Sequence, residues 1–326
     1  MLLGVALSVL PACSGGGGEV TIYSGRGQEL VGPILDRFAA ETGVSIAVRY
    51  GDSAELALLI AEEGDRSPAD VFFSQSPGTV GFLGTRELLA TLPDPTLDRV
   101  DARFRSGSGA WVGVTGRQRV LVYNTELVQE ADLPDSVLQL TQPRYAGRVA
   151  VAPENASFQD FVSAMRQVVG EEETLAWLTA LADGGAPTYD NNTAIVDAVA
   201  RGEVPMGLVN HYYNERFIRE DPSAPTLNHR FEAGDIGGLV IEASVAILRT
   251  ADDPAAAQRF VDYLLSADAQ TYFSTETFEY PLASGVAPNA DLPPLDPASL
   301  PDVDVDALGA ELDATTDLIR RSGLDD

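Results

Sequence analysis

The chain has 326 residues, enough for about two domains at roughly 100–200 residues each. With 45% hydrophobic and 21% charged residues it reads as a folded protein, which excludes a disordered chain, a collagen and an all-helical coiled coil. Its formal net charge of −28, with no lysine at all, excludes a basic footprint, so neither nucleic acid nor an anionic lipid surface is expected as a partner.

One cysteine rules out an internal disulfide framework and a cysteine-based zinc cluster, and its position is informative. Cys13 closes the apolar run that begins at Leu2, and Ser14 and four glycines follow it. The run is too short to span a bilayer as a mature helix and has the shape of a signal-peptide core. Leu10-Pro11-Ala12-Cys13 resembles a bacterial lipobox, in which the cysteine sulfur is acylated. Residues 1–12 are therefore expected to be a signal peptide, and residues 13–18 the lipidated Cys13 with a glycine-rich tether. The remainder is expected outside the cytoplasm, touching the membrane only through the anchor.

Strands and helices alternate from there. Val20–Ser24 reads as a strand; Leu30, Val31, Ile34, Leu35 and Phe38 then fall on one helical face that ends near Gly43. Val44–Tyr50 is a second strand, and Asp52 with Glu55 three residues on starts a helix through Ile60. Ala69–Phe73 is a third strand, so right-handed crossovers and a parallel sheet are implied. Trp111–Val114 and Arg119–Tyr123 read as two separate strands, followed by a strand at Arg148–Val151. Helices are expected through Phe158–Val168, around Trp177 and from Thr193 to Arg201. Val204–Val209 runs as a strand into Asn210-His211-Tyr212-Tyr213. Leu239–Leu248 is a further strand, and Asp253 with Pro254 opens another helix. The Pro- and Asp-rich stretch Pro281–Pro301 is expected to wrap the surface before a last helix near Ala307–Arg321. Two α/β lobes with a cleft at the carboxyl ends of their strands follow from this order, and that is where ligands bind in open α/β sheets.

Three loops at such ends carry polar or aromatic residues: Tyr23 to Gln28, Phe73 to Pro77 and Asn210 to Tyr213. Together with Ser67-Pro68-Ala69-Asp70-Val71-Phe72, Arg117 to Asn124, Ser157-Phe158-Gln159 and Asn192 to Val199, in this order, they resemble the bacterial ferric-ion-binding proteins. These are the substrate-binding components of iron(III) ABC transporters, and the resemblance runs from about Glu19 to the C-terminus. It implies a transferrin-like, type 2 periplasmic-binding-protein fold: an α/β protein of two lobes, with hinge strands and a cleft between. The expected lobes are 19–118 plus 243–293 and 119–242 plus 294–326. A binding protein is implied rather than an enzyme, a monomer that hands Fe(III) to a permease and its ATPase.

The residue types fit that chemistry. Ferric ion is small and hard, prefers anionic oxygen over sulfur, and lowers the pKa of a coordinated phenol. Adjacent tyrosines point to opposite faces of a strand, so they can share one ion only at a strand-to-helix transition. Tyr212 and Tyr213 stand at such a transition and are assigned as iron ligands. Two phenolates neither neutralise nor fill the shell of Fe(III), and here the chain departs from the family. Where many relatives place a His and a Glu it has Gly27 and Gln75, and where a subgroup places a third Tyr it has Phe158. The missing ligands are left to an exogenous anion, water or another residue. For a synergistic anion such as carbonate, Arg26, Arg117 and Arg119 offer guanidinium forks, with Arg117 favoured over Arg119 and a salt bridge the rival role for each. Asn192 and Asn210 match family positions that contact the anion, and Ser157 could hold it at a helix start. Glu242 is a further carboxylate, whereas His211 and His229 are expected to be structural. The alternative is a receptor of the same fold for an organic anion, a phosphonate or thiamine, without metal.

Overall fold

The computed structural model describes residues 18–325. The expected signal peptide 1–12, Cys13 and the tether up to Gly17 lie outside the described residues.

In chain order the elements are β1 (Glu19–Ser24), α1 (Gln28–Thr42), β2 (Ser45–Tyr50), α2 (Ser53–Glu63), β3 (Val71–Ser74), α3 (Pro77–Gly84), α4 (Asp94–Leu97) and β4 (Val112–Asn124). Then come β5 (Val149–Ala150), α5 (Ala156–Val169), α6 (Glu171–Asp183), α7 (Asn192–Ala200), β6 (Met206–Asn210), α8 (His211–Glu220) and β7 (Thr226–His229). The chain ends with β8 (Val240–Ile247), α9 (Pro254–Leu264), α10 (Ala267–Tyr272), β9 (Tyr280–Pro281) and α11 (Leu312–Ser322). Local chemistry sets the boundaries. Gly43 takes φ +69°, closed to most side chains, and its N–H bonds the Ala39 carbonyl to stop α1. The Asp52 carboxylate caps α2 by accepting from the Ala54 and Glu55 N–H groups, and Asp253 caps α9 by accepting from Ala256.

The strands run in the order β2-β1-β3-β8-β4-β6-β5, with β7 and β9 also paired to β4. β1 is parallel to β2 and β3, as the crossovers require, while β8 enters antiparallel to β3. β4 corrects the sequence-based expectation. It is one strand of 13 residues, not two, because Thr115, Gly116, Arg117 and Gln118 continue the ladder against β8. Its first half pairs with β8 and β9 and its second half with β6 and β7, so it passes from one lobe into the other. The stretch Pro281–Pro301, expected to wrap the surface, has little regular structure beyond the end of β9 and a 3-10 turn at Pro297–Ser299, and it buries Leu282, Leu292 and Leu300.

Hydrophobic packing divides along the same line. One core gathers Val20, Ile22, Phe38, Val71, Val112, Val245 and Phe260 between β1, β3, β8 and their helices. Another gathers Leu121, Phe158, Phe161, Met165, Trp177, Leu208 and Leu318. Each such fully buried side chain contributes about 1.5–3 kcal/mol of transfer free energy, so either core can hold its lobe rigid while the crossing strands join them.

Candidate functional site

The turns at the carboxyl ends of β1, β2 and β3 meet the starts of α5, α7 and α8 around the crossing strand β4. Between them lie two cavities. One, of about 450 Å³, is lined by Arg26, Gly27, Glu29, Gln75, Tyr212 and Tyr213 among others. The second, of about 500 Å³, is lined by Gln75, Arg117, Asn155, Ser157 and Asp160 among others. Gly25, Asp52 and Gln75 border both, so the two are compartments of one cleft.

β6 gives way to α8 without a connecting loop: Asn210 is extended (φ −84°, ψ 137°) and His211 is already helical. Tyr212 and Tyr213 therefore occupy the first helical turn, where successive side chains diverge by about 100° instead of pointing opposite ways. Their rings stack with centroids 4.2 Å apart and planes at 33°. Tyr212 is buried and Tyr213 half-buried, and neither phenol oxygen has a hydrogen-bond partner among the described residues. Burial pushes the Tyr212 phenol well above its ordinary range and Tyr213 adds to this, while Arg26 and Arg117 pull it down. This phenol keeps its proton at neutral pH, and a cation close by would release it.

Arg26 is buried beside them. Its Nη2 lies 2.7 Å from both oxygens of Glu279, with both side chains fully out of water. Glu279 also accepts from the Thr277 hydroxyl at 3.1 Å and the Thr115 hydroxyl at 3.3 Å. Desolvation, the largest single effect, lowers the Arg26 guanidinium; Glu279, by charge and hydrogen bond, together with Tyr212 and Tyr213 more than offsets it, and the pKa is raised. The salt-bridge role is thus real for Arg26, but Nε and Nη1 of the same guanidinium have no hydrogen-bond partner. Arg117 donates through Nη2 to the Gln75 carbonyl, and its Nε stands 4.0 Å from Glu279.

Arg119, two residues on, closes a separate network. Its Nη1 reaches the Ser157 hydroxyl at 3.4 Å and the side-chain oxygens of Asn192 and Asn210 at 3.5 Å; its Nη2 donates to the Leu208 carbonyl at 3.0 Å. Asn192 in turn donates to Asn155 and Ser157 and accepts from the Asn210 N–H. Burial lowers the Arg119 pKa to about 9, offset in part by Tyr213 and Asp160. The guanidinium lies over Phe158 and Phe161 at 5.6 and 5.5 Å, so Phe158 serves as a fully buried platform for a cation. The Ser157 N–H, offered by sequence to an anion, already donates to the Asn155 side chain that caps α5.

His211 is structural as expected. Its Nδ1 accepts from the Gln118 N–H at 3.0 Å and its Nε2–H donates to the Phe278 carbonyl at 2.7 Å. Burial holds its pKa down at about 3, so it is neutral with both nitrogens engaged. His229 bonds the Pro134 carbonyl outside the cleft. Glu242 is fully buried in β8, where its side chain packs against Gly113. Among the described residues no cluster of His, Cys, Asp and Glu could hold a metal by itself, so the oxygen donors of interest are phenols.

Three residues of the site escaped the sequence analysis. Glu279 lies 253 positions from the arginine it neutralises, and no local pattern announces it. Asp160, in the first turns of α5, accepts from the Ser76 hydroxyl at 3.1 Å and joins the two sides of the cleft. Burial raises its pKa to about 6 against the pull of Arg117, the Ser76 hydroxyl and Arg119. Glu29 lies only three residues beyond Arg26, and its place at the start of α1 was the available signal.

A two-lobed α/β body with crossing strands and a ligand cleft at its switch point defines a periplasmic-type binding protein. Residues 66–309 match the model of the bacterial extracellular solute-binding proteins, and the chain belongs to that family. It is 32% identical over 310 residues to the Fe(3+)-binding periplasmic protein of Serratia marcescens, covering 94% of this chain and 90% of that one. The iron-bound HitA of Pseudomonas aeruginosa superposes with a TM-score of 0.88 at 34% identity, over 94% of this chain and 99% of that one. FutA (IdiA) of Trichodesmium, in complex with iron and citrate, superposes with a TM-score of 0.84 at 26% identity, over 94% and 100%.

Proposed function

We propose that this protein captures ferric ion in the cleft and carries it, without covalent chemistry, to an ABC permease and its ATPase. Tyr212 and Tyr213 bind the ion as phenolates, and a synergistic anion, carbonate in the first instance, completes the shell against Arg26 and Arg117. Asn192, Asn210 and Ser157, which hydrogen-bond Arg119, stand behind them as further donors for the anion. The lobes are 19–118 plus 243–293 and 119–242 plus 294–326, and they work as a monomer. Cys13 anchors the chain by a lipid outside the cytoplasmic membrane after removal of residues 1–12.

The observation that carries this reading is the pair of stacked phenols with unpaired oxygens in the first turn of α8, beside a buried guanidinium with two free N–H positions. Hard oxygen donors suit a hard trivalent cation, and a cation guiding two phenols to ionise would offset their burial. Arginine forks with spare donors suit a small planar anion. The iron-binding relatives from Serratia, Pseudomonas and Trichodesmium support the same ligand.

The test is retention. Pure protein mixed with ferric citrate, with and without bicarbonate, is desalted and its iron measured by mass spectrometry. One iron per chain, held more firmly with bicarbonate, is the expected result. No retained iron, with calorimetric binding of a phosphonate, thiamine or another organic ion in iron-free buffer, would replace this reading with that of a metal-free receptor.

A further inference from the structure

We infer that Glu29 is a third protein ligand for the ferric ion, a carboxylate offered from the start of α1 into the compartment that the two tyrosines line. The inference rests on the reading of Tyr212 and Tyr213 as ligands and fills the gap that Gly27 and Gln75 leave.

Glu29 lines the same compartment of about 450 Å³ as Arg26, Tyr212 and Tyr213. Its carboxylate folds back over Gly27: a Cβ placed on that glycine would stand 2.3 Å from Oε1, 2.7 Å from Oε2 and 2.8 Å from Cδ of Glu29. Gly27 has φ −58° and ψ 141°, a conformation any residue adopts, so its backbone does not call for glycine. Space does. The volume a side chain at position 27 would fill, the place of a His in many proteins of the resembled family, is occupied here by a carboxylate.

That carboxylate is uncommitted. Glu29 is exposed at the mouth of the compartment and takes part in no hydrogen bond or salt bridge among the described residues, so its carboxylate can turn to an ion without breaking a contact. Asp52, another acid there, spends Oδ1 on capping α2 through the Ala54 and Glu55 N–H groups. Charge is compatible with this: before an exogenous anion binds, two phenolates leave Fe(III) with one net positive charge, and a carboxylate brings a hard anionic oxygen to it. Position adds a consequence. The tyrosines start α8 and Glu29 starts α1, so an ion held by all three ties the two sides of the cleft together and favours closure. An acid in a first helical turn also complements the helix dipole. A role confined to that would alter thermal stability and leave iron binding untouched.

The test uses the full chain loaded with ferric ion in bicarbonate buffer, with the visible phenolate-to-iron band and the citrate concentration that strips half the iron as readouts. Glu29→Gln and Glu29→Ala are expected to keep the band, because the tyrosines remain, but to shift its maximum and lower the citrate midpoint at least about tenfold. That is the lower end of what disturbing even an outer partner of a metal ligand costs. The double variant Gly27→His/Glu29→Ala, in which the vacated space receives an imidazole, is expected to recover part of the loss. Wild-type band and citrate midpoint in both Glu29 variants would overturn the inference while Tyr212→Phe still abolishes the band. A band that survives Tyr212→Phe and Tyr213→Phe would instead overturn the tyrosine reading on which it stands.

Discussion

Arg26 and Glu279 meet at 2.7 Å with no exposure to water, and a pair in that setting is held to its partner by the cost of leaving either charge alone. Glu279→Gln is expected to lower the unfolding free energy by about 3–5 kcal/mol in urea titration, whereas replacing both residues by methionine costs less than the sum of the single losses. An unchanged urea midpoint for Glu279→Gln would contradict this account of the pair. Asp160 gives the opposite case. Its folded pKa of about 6 lies above the value of about 3.9 for an unfolded chain, so the folded state binds its proton more tightly. The stability from the protonated form is complete below about pH 4 and is lost as pH rises through 6. Asp160→Asn should therefore be more stable than the parent protein at pH 7.5, by about 1–3 kcal/mol at 1.4 kcal/mol per unit, with the difference vanishing near pH 4. A pH-independent difference would refute it. At this scale Tyr212, Tyr213, Arg26 and Arg117 were legible as cleft residues because each stands in or beside a short motif. Glu279 and Asp160 were not, since what places them in the cleft is a partner brought from a distant stretch of chain.

Strand β4 shows what periodicity can and cannot reveal about an element. Val112 to Val114 and Val120 to Val122 carry an apolar signal, but Thr115 to Gln118 between them are polar or lack a side chain, and the run reads as two strands. Those residues are the crossing between lobes, where ladder bonds to β8 and contacts in the cleft replace apolar packing. Helix α3 was hidden for a related reason: it contains Gly78, Gly81 and Gly84, and it forms because Pro77 sits at its first turn and Val80 and Leu83 are buried. The junction of β6 and α8 was legible, because an apolar run ended abruptly in polar and aromatic residues. Within β4 the register shifts between Gly113 and Thr115, and a Cβ on Gly113 would lie 2.7 Å from the Phe104 carbonyl and 3.1 Å from Leu282. A backbone oxygen cannot turn aside as a side chain can. Gly113→Ala is expected to destabilise the protein by about 1–3 kcal/mol in urea unfolding, and a neutral effect would mean that the strand shifts freely at this point.

On the scale of the molecule, hydrophobic cores on either side of β4 and β8 build the two lobes, and the cleft between them collects buried polar side chains, many paired with one another, as Arg26 is with Glu279 and Asp160 with Ser76. Alternation of strands and helices was enough to foresee that architecture, and the ordered loop motifs foresaw which ends of the strands would line the cleft. What the linear order could not convey is that one cleft has two compartments, one centred on phenols and a carboxylate and the other on Arg117 and Asp160. Capture in the first would draw α1 toward α8, and the Ser76 to Asp160 hydrogen bond already links the same two sides in the second. The whole account turns on whether Tyr212 and Tyr213 bind ferric ion together. The most direct measurement is a visible spectrum during titration with ferric ion in bicarbonate buffer, run beside Tyr212→Phe and Tyr213→Phe. The account predicts an orange-to-red band that saturates at one iron per chain and disappears in both variants; no band in the parent protein, or one indifferent to both substitutions, would contradict it.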